Sequence, residues 1–127
     1  MNVYLAGGMR SAWRDVVKST VQATFFDPKE KELSGEWDLP KIGTWDFFKI
    51  KQSDVIFAYM EKTNPSGFGL ATEIGYACGL GKTVILVLEE NHEIHKDRYL
   101  EFLKKAANIT FSNFENGVDF LRSLGQL

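Results

Sequence analysis

Asp54-Val55-Ile56-Phe57-Ala58-Tyr59-Met60 and Thr83-Val84-Ile85-Leu86-Val87-Leu88 are two nearly unbroken apolar runs. Each has the length of a strand, and a run without polar alternation suits a parallel strand covered on both faces. Between them lie a loop, Asn64-Pro65-Ser66-Gly67-Phe68-Gly69, and a helix-like stretch over residues 70–80 that stops at Gly81. Strand, helix and strand in that order make a parallel crossover unit.

The same alternation extends in both directions. Val3-Tyr4-Leu5-Ala6 reads as a buried strand broken at Gly7-Gly8, and residues 12–22 as a helix with Val16, Val17 and Val21 on one face. Thr24-Phe25-Phe26 is a short strand stopped by Asp27-Pro28. Residues 28–42, polar and carrying Gly35 and Pro40, read as a surface loop, after which Thr44 caps a helix running to about residue 51. Past the second apolar run, a helix over 96–107, a strand Ile109-Thr110-Phe111 and a helix over 114–124 complete the chain. The pattern predicts one α/β domain over residues 1–127: a doubly wound, flavodoxin-like or Rossmann-like sheet of about five parallel strands flanked by helices. Ligands of such sheets sit beyond the carboxyl ends of the strands. That rule gathers Gly7 to Arg10, Asp27 and the loop over 60–69 around one crevice, with Glu73 expected in the first turn of the helix beside it.

Composition narrows the function. The formal net charge is -2 and there is no long basic run, which argues against a nucleic acid polymer as partner. The apolar runs fall far short of the roughly 20 residues of a membrane helix. Cys78 is the single cysteine, so no intrachain disulfide can form. The first residues enter a strand directly, with no charged leader and apolar signal core. The expectation is a cytoplasmic protein with no membrane partner.

Three local patterns fail on inspection. Gly81-Lys82-Thr83 lacks the upstream glycine of a P-loop, since Tyr76 stands there, and it follows a helix instead of a strand. Gly67-Phe68-Gly69 lacks the third glycine of a dinucleotide fingerprint, Thr72 occupying its place, although glycines here let backbone approach a ligand. His92 and His95, near Glu90 and Glu93, have no third strong ligand, so no metal is expected. Cys78 reads as a small core residue, and Gly75 with Gly79 as flat surface for packing on the sheet.

What survives is a set of carboxylates and one tyrosine. Glu73 taken alone would be a helix-dipole partner, and Asp54 alone a strand-end cap. The loop before Glu73, with Ser66, Gly67 and Gly69, opens room for a substrate beside that carboxylate. Tyr4, on an inner strand, needs a partner for its hydroxyl, and a rim carboxylate would serve. Trp45 and Asp46 lie on the helix leading to Asp54, where they would shape a pocket or, for Trp45, fill the core.

These residues carry a resemblance. Val3-Tyr4-Leu5-Ala6-Gly7-Gly8, Ser53-Asp54-Val55-Ile56, and Gly67-Phe68-Gly69-Leu70-Ala71-Thr72-Glu73-Ile74-Gly75-Tyr76-Ala77 with Gly81-Lys82 are similar to the nucleoside 2-deoxyribosyltransferase family. The resemblance implies base exchange on 2-deoxyribonucleosides through a covalent glycosyl intermediate on Glu73. It implies that Tyr4 orients Glu73, and that Asp54 handles the proton of the leaving base. Gly7, Gly8 and Met9 would line the sugar and base pocket. It also implies a homo-oligomer, a dimer or larger, whose neighbouring subunit completes each site through residues 98–101, Tyr99 above all. Nucleosides and nucleobases would be the partners, with no cofactor required. One departure is the loop before Glu73, where some members carry a sugar-binding acid and this chain has Asn64, Ser66 and Gly67.

The chemistry is consistent. Cleaving an N-glycosidic bond builds positive charge on the anomeric carbon, which a carboxylate stabilises and then bonds. Two other functions compete. A 5′-monophosphate N-glycosidase would use Gly8-Met9-Arg10-Ser11, with Arg10 on the phosphate. Glu101, expected near that phosphate, would repel it, and the hydrolase uses a serine where Gly67 stands. A non-catalytic nucleotide-binding module is the third reading, since fold does not fix function.

Overall fold

In the computed structural model the described residues are 1–64, 67–90 and 94–126, without the side chains of 94–97 and 99. Five strands, β1 (Asn2–Gly7), β2 (Thr24–Phe26), β3 (Val55–Met60), β4 (Thr83–Leu88) and β5 (Ile109–Phe111), form one sheet in the order β2-β1-β3-β4-β5. Every neighbouring pair is parallel. The strand order reverses between β1 and β3, which makes the carboxyl ends of these two strands the switch point. The expected doubly wound sheet is therefore present.

Alternation along the strands feeds two apolar layers. Val3, Leu5, Val55, Phe57, Ile85 and Val87 face α1 (Trp13–Thr20) and α6 (Phe114–Leu124). Tyr4, Ala6, Ile56, Ala58, Val84 and Leu86 face α3 (Leu39–Gln52), α4 (Phe68–Gly79) and α5 (Ile94–Ala106). All six residues of β3 are buried, so its unbroken apolar run follows from its central place. No helix among the described residues is long and apolar enough to cross a membrane.

The stretch expected as a loop over 28–42 is mostly helical. The Asp27 side chain caps α2 (Pro28–Ser34) by accepting from the Lys29 N–H at 2.9 Å, and the helix ends at Gly35 in the left-handed region. Asp38 caps α3 in the same way through Lys41 N–H at 3.1 Å. Thr44 is not the cap. It lies inside α3, its hydroxyl donating to the Pro40 carbonyl at 2.8 Å. Pro28 and Pro40 occupy the first turns of their helices, where proline loses no hydrogen bond, so they mark helix starts here and not breaks.

At the other end of α4, Gly81 (φ 73°) closes a Schellman turn: its N–H donates to the Cys78 carbonyl and the Lys82 N–H to Ala77, each at 3.0 Å. This accounts for Gly81-Lys82-Thr83 without a phosphate. Gly75 and Gly79 do not pack on the sheet as expected. Both are exposed, and a Cβ added at either would meet nothing within 4 Å. Cys78 is likewise exposed and not a core residue.

Candidate active site

Three polar side chains converge between the sheet and the helices α3 and α4. Tyr4 points from β1 into this layer and is fully buried. On α4 the positions facing the sheet are Leu70, Ile74 and Ala77, all buried. Glu73 follows Leu70 by three residues and precedes Ala77 by four, so it shares their face. It lies in the second turn of α4, not the first as expected, because the helix begins at Phe68 after Gly67. On α3 the buried positions are Ile42 and Ile50. Asp46 lies midway, one turn from each, on the same inward face.

Burial governs the ionisation of the group. It pushes the Glu73 carboxyl up to about 8; Asp46 and Glu32 add to the rise, while the Tyr4 hydroxyl and Arg14 oppose it. Burial also pushes Asp46 up to about 6, with Glu32 adding and Tyr4 and Arg14 opposing. The Tyr4 hydroxyl is driven well above its ordinary value, by burial first and then by the two carboxylates. Tyr4 thus stands close enough to both acids to favour their charged forms. Even so, the Tyr4 hydroxyl, Glu73 Oε2 and Asp46 Oδ1 are each buried without a partner in hydrogen-bonding geometry. Leaving such an atom unpaired costs about 1–3 kcal/mol. Three in one place mark a site shaped for something other than stability.

The β1–α1 loop leaves the carboxyl end of the strand that carries Tyr4. Gly7 has φ 151°, and a Cβ there would lie 2.5 Å from the Tyr59 carbonyl oxygen, so only glycine fits. The Gly8 carbonyl accepts from Trp13 Nε1 at 3.0 Å and from the Arg14 guanidinium at 2.6 Å. Gly8, Met9 and Arg10 line a cleft of about 180 Å³ together with Glu61, Thr63 and Asn64. The Ser11 hydroxyl donates to Glu61 Oε2 at 2.9 Å, holding a carboxylate in this cleft. Across the loop, Gly67 (φ 78°) leads into α4, and a Cβ on it would come within 2.9 Å of Met60 Cε.

Other expected residues lie elsewhere. Asp54 precedes β3, at the amino end of the strand, which runs about 20 Å to its carboxyl end. Its Oδ2 accepts from the Asn2 backbone N–H at 2.8 Å, and the charged groups acting on Glu73 are Asp46, Arg14 and Glu32 instead. Asp54 is therefore a strand-end cap, and the structure does not bring it to Glu73. Asp54→Asn is expected to leave turnover within about twofold and to cost about 0.5–1.5 kcal/mol of stability. A kinetic loss matching that of a Glu73 variant would return Asp54 to the chemistry.

Gly69 is exposed, with open space where its side chain would be. Glu101 pairs with Lys104 at 2.9 Å. Tyr99 falls in α5, and its side chain lies outside the described residues; Ser66, His92 and the side chain of His95 lie outside them too. Among the described residues no group of three or more His, Cys, Asp or Glu side chains could hold a metal ion. Trp45 is half-buried and packs against the core beside Asp46. Arg14, which reads in sequence as an ordinary helix charge, is buried and acts on Glu73, a placement that sequence reasoning missed altogether.

Sheet order and buried acids together define an α/β protein of the doubly wound class, with an ionisable site beside its switch point. The chain belongs to the nucleoside 2-deoxyribosyltransferase-like family, whose profile matches residues 1–91. No curated protein matches it in sequence. Among solved structures, the CMP N-glycosidase BcmB of Clostridium botulinum is similar, with a TM-score of 0.65 and 20% identity. The similarity covers 98% of this chain and 99% of that one, so the fold extends through α5, β5 and α6.

Proposed function

We propose that the protein cleaves the N-glycosidic bond of a 2-deoxynucleoside and passes the sugar to a second base. Glu73 is the nucleophile, Asp46 the acid for the leaving base, and Tyr4 the group that orients both. The observation that carries this reading is the pair of inward-facing carboxyls sharing one tyrosine, their values raised to about 6 and about 8. Near neutral pH such a pair holds one proton between them. One member can then give a proton to the departing base while the other faces the anomeric carbon as a carboxylate.

In the free protein Glu73 holds that proton more tightly than Asp46. The reaction needs the proton on Asp46 instead, and the positive charge developing on the sugar favours that arrangement by stabilising the Glu73 carboxylate. The carbon–nitrogen bond breaks, the base leaves with the Asp46 proton, and Glu73 bonds to the anomeric carbon. A second base attacks that carbon, returns a proton to Asp46 and frees Glu73. Gly7, Gly8 and Met9 border the sugar, and a neighbouring copy of the chain contributes around Tyr99.

A second reading, hydrolysis of a nucleoside 5′-monophosphate, is favoured by Arg10 in the rim cleft and by the likeness to a CMP N-glycosidase. The Glu61 carboxylate in that cleft opposes it, because it would repel a phosphate. The protein is incubated with deoxyinosine plus adenine, and separately with deoxycytidine monophosphate, and products are separated chromatographically. Deoxyadenosine and hypoxanthine are expected from the first mixture. Free cytosine from the monophosphate, without exchange in the first, would establish the hydrolase. Binding with no chemistry in either would leave a nucleotide-binding module.

A further inference from the structure

Arg14 is among the largest fully buried side chains of the protein, an unusual place for a guanidinium. It sits at the start of α1 and reaches back under the end of β1. One terminal nitrogen donates to the Gly8 carbonyl at 2.6 Å; the other donates to Gly7 at 3.0 Å and to Leu5 at 3.3 Å. Its Nε lies 3.0 Å from Asp27 Oδ1, at the end of β2. The second Asp27 oxygen pairs with Lys18 at 2.7 Å. Trp13 assists from the next position, its indole N–H on the same Gly8 carbonyl and its ring 4.5 Å from the guanidinium carbon.

This arrangement does more than satisfy a buried charge. Two of the three carbonyls, those of Gly7 and Gly8, stand where β1 gives way to the rim loop, the third belongs to Leu5 within the strand, and a fork of fixed donors sets their directions together. We propose that Arg14 is a positioning residue that holds the β1–α1 loop, Gly7 to Arg10, in its substrate-receiving shape and supplies a fixed positive charge behind Glu73. The proposal rests on the N-glycosidic reading of that site.

The charge half follows from the same buried position, with the guanidinium held under the end of β1 against Asp27. Burial pulls the Arg14 value down, while Asp27, Glu73, Tyr4 and Glu32 pull it up, and a guanidinium stays protonated under such conditions. Glu73 is faced by Tyr4 from β1, Arg14 from α1, Glu32 from α2 and Asp46 from α3. Arg14 is the cation of that set, so its removal leaves the Tyr4 hydroxyl alone against the two carboxylates acting on Glu73.

Two variants separate geometry from charge. Arg14→Lys keeps the charge and loses the fork; Arg14→Gln loses the charge. In Arg14→Lys, amide hydrogen exchange at Gly8, Met9 and Arg10 is expected to quicken about tenfold or more. KM for the nucleoside should rise by a similar factor with a smaller change in kcat. In Arg14→Gln, the Glu73 carboxyl, followed by carbon-13 NMR, should titrate at higher pH than in the wild type. Lys18→Gln, which disturbs Asp27 from the solvent side, should move neither readout.

Unchanged loop exchange in folded Arg14→Lys, or an unmoved Glu73 titration in folded Arg14→Gln, would overturn the proposal. Should Arg14→Gln fail to fold, Arg14→Lys decides; should Arg14→Lys fail, Arg14 is a structural strut and the proposal is wrong. A wild type that turns over no nucleoside would defeat the N-glycosidic reading alone. Exchange and titration would still judge Arg14.

Discussion

Glu73→Gln is expected to lower kcat for base exchange by about 10⁴-fold or more, because it removes the atom that bonds the sugar. The same change should make the protein more heat-resistant in alkali. Glu73 has its folded-state value raised from 4.5 to about 8. The native protein therefore binds its proton more tightly than the unfolded chain, and stability falls as pH rises between those values. Its contribution is fully present below about 4.5 and lost on passing about 8. Glutamine has no such liability, so the variant should melt above the wild type at pH 9, and the gap should close below pH 4.5. Thermal unfolding at the two pH values tests this beside single-turnover kinetics. An active variant would dismiss Glu73 as nucleophile; an inactive one with no alkaline gain in melting temperature would show that its burial costs nothing.

Asp46→Asn is the second large effect, a fall in kcat of about 10²–10³-fold, the usual worth of a positioned acid. The loss should shrink for a leaving group that departs without protonation, such as a nitrophenolate. Wild-type kcat/KM should trace a bell with limbs near 6 and 8, since only the singly protonated pair is competent. Below the lower limb both acids are neutral, and above the upper limb both are charged. In Asp46→Asn the alkaline fall should vanish, leaving activity that rises as Glu73 ionises. If a nitrophenyl deoxyriboside suffers the full loss, Asp46 is not the acid.

The fold was legible because its signals are local and repeated. The apolar runs at Val55–Met60 and Thr83–Leu88 and the stop at Gly81 are where the reading placed them. α2 and the start of α3 were lost where proline was taken as a loop residue, since Pro28 and Pro40 stand in the opening turns of these helices. Asp54 was a misreading that strand direction could have corrected: a residue just before a parallel strand lies at its amino end, away from the ligand side. Asp46 carried a readable mark as well, an acid spaced four residues from Ile42 and four from Ile50 on one helical face. Arg14 carried none. Its burial depends on the ends of β1 and β2 lying side by side, a long-range fact that no local pattern contains.

The helix that bears Glu73 has glycine at three of its twelve positions, Gly69, Gly75 and Gly79. Such a segment has little tendency to coil by itself, because each glycine forfeits about 1 kcal/mol relative to alanine. Its order is borrowed from the inner contacts of Leu70, Ile74 and Ala77 with the sheet. Denaturant should therefore erase the nucleophile's surroundings in the same cooperative step that dissolves the central strands, with no frayed, half-competent form surviving between.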